Sequence, residues 1–241
     1  TFTGCRLYPV LTKHGKIMLE ELERTARRFH SIHNPIPAVV TITQPTEYGT
    51  IYTVEEIREI ARFCRKNEMY LHMDGARYFN AAAALHVPLG YFTYNTGVDV
   101  LTLGGTKNGM MFGEAVVFFS TKGKEWRKYQ LKRAMQMSSK TRYIAAQFEA
   151  MISNELWREI AGHANSMALI FESEIRNKSN LVVTHPVETN AVFLNMDEEM
   201  YQRLNEVVPF YKWGHQTGEV RFMFSHDINE REIHQFIYKM S

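Results

Sequence analysis

The stretch Leu101-Thr-Leu-Gly-Gly-Thr-Lys-Asn-Gly109 constrains this chain more than any other. An apolar run from Val98 to Leu103 enters it, and two glycines cut that run off. A run of this kind is a buried strand, which delivers the residues after it to one edge of a sheet with little positional freedom. Glycines there let the backbone turn sharply and approach a ligand. Lys107 is then either an ordinary loop lysine or a placed amine whose partial burial favours the neutral, nucleophilic form. A second run, Met69-Tyr-Leu-His-Met-Asp-Gly-Ala-Arg77, ends similarly in Asp74, Gly75 and Arg77. An acid at the end of one strand and a lysine at the end of another suit a pyridine cofactor. The carboxylate holds the ring nitrogen protonated, and the lysine carries the cofactor as a Schiff base.

Around these two runs the pattern alternates between strand and helix. Cys5–Val10 reads as a short strand, His14-Gly15-Lys16 as a turn and Leu19–Phe29 as a helix. Ala38–Thr43 is a β-branched run of strand length, which Pro45 ends because proline cannot continue a central strand. Gln44–Thr50 therefore lies at a strand's end, where ligands sit in open α/β sheets. Gln44, Glu47 and Tyr48 are equally compatible with plain loop chemistry. Thr53 and Glu56 form a capping-box pattern ahead of a helix with the stripe Ile57, Ile60, Ala61 and Cys64. Tyr78–Leu85 is an alanine-rich helix, and Ala115–Phe119 is a further strand. The order predicts an α/β fold, a mostly parallel sheet with helices on both faces.

Beyond it, Gly123–Ser153 reads as two amphipathic helices broken near Ser138-Ser139. Asn154–Asn177 is a helix that bridges to a smaller α+β part. That part has strands at Leu181–Val183, Ala191–Asn195, Phe210–Trp213 and Glu219–Phe224, with helices over Met196–Val207 and Asn229–Met240. This divides the chain into a large domain, residues 1–154, and a small C-terminal domain, residues 155–241. Arg221 lies in the last strand, as an edge arginine with a wet side chain or as part of a site.

A net charge of +2 over 241 residues, without a basic stripe interleaved with aromatics, argues against a nucleic-acid partner. Lys122–Arg133 is locally basic and reads as a solvated helix face. Cys5 and Cys64 have no metal-ligand spacing, so no metal is expected, and two cysteines suit a reducing, cytoplasmic setting. No apolar run reaches membrane-spanning length.

Asp74-Gly-Ala-Arg77 followed by Gly104-Gly-Thr-Lys-Asn-Gly109 resembles the threonine aldolase branch of the fold-type-I pyridoxal-phosphate enzymes. The resemblance includes Thr43–Gly49 and Val220-Arg221-Phe222 and runs over nearly the whole chain. It implies pyridoxal phosphate on the catalytic Lys107, with Asp74, Arg77 and Thr106 around the cofactor and Arg221 on the carboxylate of a small amino-acid substrate. The implied reaction is cleavage of threonine or allo-threonine to glycine and an aldehyde. The alternatives are β-elimination or racemisation on the same scaffold, or a non-catalytic subunit. The resemblance also implies a segment before Thr1 that carries a phosphate cradle and a ring-stacking aromatic, neither of which is found here, and a homodimer or homotetramer. Thr106 replaces the more usual serine, and Asn108-Gly-Met-Met111 replaces a Gly-Leu-Gly-like turn. The base that takes the β-hydroxyl proton is not identified; His72 is expected on the strand face opposite Asp74.

Overall fold

A computed structural model describes residues 3–29, 32–121, 124–176, 181–214 and 218–240. The chain opens with a small hairpin of β1 (Thr12–Lys13) and β2 (Lys16–Ile17), closed by His14-Gly15, both at positive φ. Helix α1 (Leu19–Arg27) follows. A four-stranded sheet then forms in the order β3 (Val39–Thr43), β4 (Tyr70–Gly75), β5 (Val100–Gly104), β6 (Glu114–Phe118). Helices α2 (Val54–Lys66) and α3 (Tyr78–Leu85) connect its first three strands, which run parallel.

The pairing register sorts the side chains of this sheet. Val40 and Ile42 stand beside Leu71 and Met73, Met73 stands beside Leu101, and Leu103 stands beside Gly75. The six apolar side chains among these are buried in one core with Ile57, Ile60, Ala61 and Cys64 of α2 and Phe79, Ala81 and Ala82 of α3. Fully burying a side chain such as Phe79 contributes about 1.5–3 kcal/mol. The alternate residues Thr43, His72, Asp74 and Thr102 share the other face and are only partly covered. Strand β6 runs antiparallel to β5. Nine residues connect the two, Gly105–Gly113, fewer than the dozen or more that a parallel crossover needs.

The predicted strand at Cys5–Val10 is absent. That segment forms no ladder, and Leu7 is 88% exposed, because no strand lies beside it. Helices α4 (Lys124–Arg133) and α5 (Thr141–Ser153) are separated near Ser138-Ser139 as expected, but α4 is not amphipathic. Its apolar residues Trp126, Tyr129 and Leu131 do not form a stripe at helical spacing, and none is buried. Phe2, Lys122, Gly123 and Asn177, ends of stretches read from sequence, lie outside the described residues.

Helix α6 (Leu156–Arg176) belongs to both cores. Trp157 and Ala161 pack with the first sheet, while Met167, Ala168, Phe171 and Ile175 pack with the second. Its Asn165 pairs reciprocally with Asn80 of α3: each side-chain amide donates at 3.0 Å, to Asn165 Oδ1 and to the Asn80 carbonyl. The second sheet is antiparallel, in the order β7 (Val182–Val183), β8 (Ala191–Asn195), β10 (Glu219–Met223), β9 (Tyr211–Lys212). Helices α7 (Glu198–Asn205) and α8 (Glu230–Lys239) complete it, and Asn229 with Glu232 makes a second capping box.

The predicted capping box at Thr53 is present, and it carries an ion pair. Glu56 Oε2 accepts from the Thr53 amide at 2.6 Å, and Lys16 Nζ of the hairpin donates to Glu56 Oε1 at 2.6 Å. Burial pushes the Glu56 carboxyl up, but the hydrogen bonds from Lys16 and Thr53 outweigh it and hold the group below its ordinary 4.5. A depressed carboxyl stabilises the fold above its unfolded pKa, and the contribution is lost as pH falls through the folded value. Glu56→Gln should therefore lower the thermal midpoint at pH 7, and the difference from wild type should close as pH falls below about 4.5. Thermal melts followed by circular dichroism across pH 3–7 check both.

Candidate active site

The ends of β4 and β5 meet at van der Waals limits. A Cβ added to Gly104 would lie 2.4 Å from the Ala76 carbonyl oxygen, so only glycine fits there. Asn108 then ties the strand ends together. Its side-chain amide donates to the Ala76 carbonyl at 3.2 Å and to the Gly104 carbonyl at 2.8 Å. The turn that carries Lys107, a single 3₁₀ turn from Thr106 to Asn108, is thus fixed to the backbone that follows Asp74.

Asp74 is half-buried at the end of β4, where its Oδ1 accepts from the Ala76 amide at 3.0 Å. His72 lies on the same face, which corrects the sequence expectation. Residues 72 and 74 are two apart, and side chains alternate with period two, so they share a face. His72 Nε2 is 3.3 Å from Thr102 Oγ1 on β5. Burial lowers the His72 pKa, and the nearby Asp74 charge opposes that. The imidazole is neutral at pH 7 as a result.

Arg221 is not an edge residue. β10 runs between β8 and β9, and the Arg221 side chain is only 15% exposed. Val220 and Phe222 point into the second core, so Glu219 and Arg221 face the first sheet. The loop Gln44–Thr50 meets them there. Gly49 packs against Ala191 of β8, and Thr189 Oγ1 donates to the Gly49 carbonyl at 2.8 Å. Tyr48 stacks on His185 at 4.2 Å, and His185 lies 3.3 Å from Glu219. Glu47 reaches both arginines: its Oε2 is 3.3 Å from Arg221 Nη1 and its Oε1 is 4.0 Å from Arg77 Nη1. Burial lowers the Arg77 pKa; Glu47 opposes this, Arg221 adds to it, and Asp74 opposes it. Arg77 therefore feels Arg221, Glu47 and Asp74 together, and Glu47 lies between the two guanidiniums. The Arg221 guanidinium carbon also sits 4.4 Å over the Trp213 ring.

Lys107 and Thr106 stand on the outer side of the turn. Both are exposed, and the Thr106 hydroxyl accepts from the Gly113 amide at 3.0 Å as part of the turn. The partial burial read for Lys107 is not found, because the 3₁₀ turn points residue 108 rather than 107 inward. Behind the turn lies a cavity of about 40 Å³ lined by Lys107, Asn108 and Asn190 among others. The Oδ1 atoms of Asn108 and Asn190 are buried there without a hydrogen-bond partner.

Two site residues escape a reading of strand ends. Asn108 looks like a departure from a glycine turn, and nothing local shows that its amide spans two strands. Glu47 reads as loop chemistry, although its place after Pro45 sets it at a strand end. For Gln44 the loop reading holds. It is fully buried, and it exchanges hydrogen bonds of 2.9 Å with both the amide and the carbonyl of Tyr52. Among the described residues no group of three or more His, Cys, Asp or Glu could hold a metal ion. Nor is any described helix long and apolar enough to cross a membrane.

Residues 1–199 match the beta-eliminating lyase family. The chain belongs to that family. A low-specificity L-threonine aldolase from Pseudomonas sp. (strain NCIMB 10558) is 37% identical over 233 residues, 96% of this chain and 67% of the relative. The threonine aldolase structure from Leishmania major superposes with a TM-score of 0.88 at 26% identity, covering 99% of this chain and 70% of that one. A PLP-bound putative aminotransferase from Clostridium difficile 630 superposes with a TM-score of 0.68 at 14% identity, over 93% of this chain and 60% of that one, a likeness of fold. In this lyase the junction at Asn108 gives a direct test. Asn108→Ala removes two buried hydrogen bonds and should cost about 1–3 kcal/mol of stability. Urea unfolding measures that loss.

Proposed function

We propose that this chain is a pyridoxal-phosphate-dependent lyase that cleaves a β-hydroxy-α-amino acid of the threonine or allo-threonine type into glycine and an aldehyde. The observation that carries the reading is the cluster of Asp74, Arg77 and Arg221 where the second sheet meets the strand ends, with the Lys107 turn pinned to the same backbone through Asn108. Membership of the family and likeness to threonine aldolases along almost the whole chain support it.

The residues present fit the cofactor. A half-buried carboxylate whose other contact is one backbone amide suits a protonated ring nitrogen. An exposed lysine on a fixed turn suits a carbonyl carbon, since it must reach out of the protein to form its bond. The Arg221 Nε is buried without a hydrogen-bond partner, a donor that awaits an anion. Pyridoxal phosphate supplies, when bound, an acceptor for the electron pair released from Cα.

The protein's part is charge and position. Asp74 would hold the protonated ring nitrogen of the cofactor, and the Ala76 amide fixes its rotamer. Arg221 offers a planar fork that a carboxylate meets bidentately, and Trp213 beneath it limits the fork's rotation. Gripping the α-carboxylate in that plane decides which bond at Cα stands ready to break. Arg77 brings a second, nearly buried cation toward anionic oxygens of cofactor or substrate. The Thr106 hydroxyl, already held by the Gly113 amide, serves to shape the turn.

We infer further that the chain works as at least a dimer. Helix α4 buries none of its side chains, and Trp126, Met111 and Phe112 are exposed at 68%, 87% and 56%. Exposed large apolar side chains in this number favour association. The free thiols Cys5 and Cys64 support a reducing, cytoplasmic setting.

With pyridoxal phosphate added, the wild-type chain should show the visible absorption band of a lysine-bound cofactor, and Lys107→Ala should lack it. Equal spectra would remove Lys107 from this role. Arg221→Lys keeps the charge but loses the fork, so KM for threonine should rise by roughly tenfold to a hundredfold, and kcat should fall as well because the bond at Cα is no longer oriented. Acetaldehyde release measures it, and chiral analysis of alanine would reveal racemisation instead. Light scattering at micromolar concentration should return at least twice the 28.1 kDa chain mass.

A further inference from the structure

Arg221, read above as the grip for the substrate carboxylate, already holds a carboxylate in the chain by itself. Its Nη1 donates to Glu47 Oε2 at 3.3 Å. The two partners are unequally fixed. The Arg221 side chain is 15% exposed and lies on the Trp213 ring, whereas the Glu47 side chain is 50% exposed. Glu47 rides a tight turn whose backbone is closed by the Gly49 amide on the Thr46 carbonyl at 2.9 Å. The turn itself is tied down by Thr50 Oγ1, which donates to the His14 carbonyl at 2.6 Å. The backbone stays and the guanidinium stays, so only the Glu47 carboxylate can leave.

The contact is also incomplete. Glu47 takes one nitrogen of the fork at a long distance, while Arg221 Nε remains buried without a partner. A free carboxylate that meets two nitrogens forms the stronger, bidentate pair. When it does, Arg77 is the cation left beside Glu47, its Nη1 already 4.0 Å from the other carboxylate oxygen.

We propose that Glu47 is a resident competitor for the Arg221 fork, displaced by the substrate's carboxylate, and that it sets the threshold affinity for carboxylate ligands. Weak, monodentate anions then fail to displace it, whereas an α-amino acid held at two points succeeds. This rests on the reading of Arg221 as the carboxylate grip.

The test is an equilibrium titration of the full chain, with pyridoxal phosphate added, against glycine. It is followed by tryptophan emission, because Trp213 lies under Arg221, and by calorimetry. Glu47→Gln keeps the shape of the side chain and removes the charge. It should bind glycine about threefold to tenfold more tightly than wild type, the scale of losing one half-exposed ion pair and its repulsion of a second carboxylate. Arg221→Lys should bind it more weakly. If Arg221→Lys binds weakly but Glu47→Gln binds as wild type does, or worse, the competitor role is overturned and the Arg221 reading stands. If Arg221→Lys binds as wild type does, or no variant binds glycine, the Arg221 reading falls and the proposal with it.

Discussion

The contact of Gly104 with Ala76 is the constraint on which the site depends. Two strands of a parallel sheet normally diverge into separate loops at their carboxyl ends. Here the missing Cβ lets the backbone after β5 lie on the backbone after β4. Asn108 then uses both amide protons to bind the two freed carbonyls. Those carbonyls sit at strand ends, where ladder pairing stops, and would otherwise be buried and unpaired. Satisfying them with one side chain fixes the lysine turn relative to the acid strand. Asp74 and Lys107 thereby inherit a fixed relation from backbone chemistry.

A second junction brings the small sheet to that place. The loop Gln44–Thr50 is rigid because its polar groups are used internally: Gln44 closes on Tyr52, and Thr46 and Thr50 share a 2.7 Å hydrogen bond. Its outer edge meets β8 and β10 through Gly49, Tyr48 and Glu47. Helix α6 fixes the same two layers from behind, since its two halves belong to different cores. Arg221 is therefore held from both sides, by a loop in front and by a shared helix at the back. Shifting either would change the distance between the carboxylate grip and the strand ends.

The electrostatics of the site follow from this enclosure. Two nearly buried arginines stand on either side of Glu47; burial lowers the Arg77 pKa, and the carboxylates Glu47 and Asp74 oppose that. His72 lies on the same face yet is neutral, because burial outweighs the pull of Asp74. The cluster is poised for anions: its cations are nearly buried, and its most exposed member is the Glu47 carboxylate.

Local chemistry alone determined much of this protein. Helix α3 begins and ends where the alanine-rich run does, and the capping box at Thr53 lies where the sequence sets it. Strand positions followed from β-branched runs, since each is set by residues within a few positions of one another. The acid and the lysine were legible because each ends such a run. Tertiary structure decided the rest. Cys5–Val10 has strand composition but no neighbouring strand to pair with, and α4 has helical residues but no face to bury. Two further points are settled by residue counting alone: the nine-residue connection makes β6 antiparallel, and the two-residue period puts His72 on the face of Asp74. Glu47 and Arg221 are 174 residues apart, and the side-chain amide of Asn108 reaches a carbonyl 32 residues away. A sequence fixes which hydrogen bonds and charges a segment can offer; only the packing of distant segments decides which of them meet.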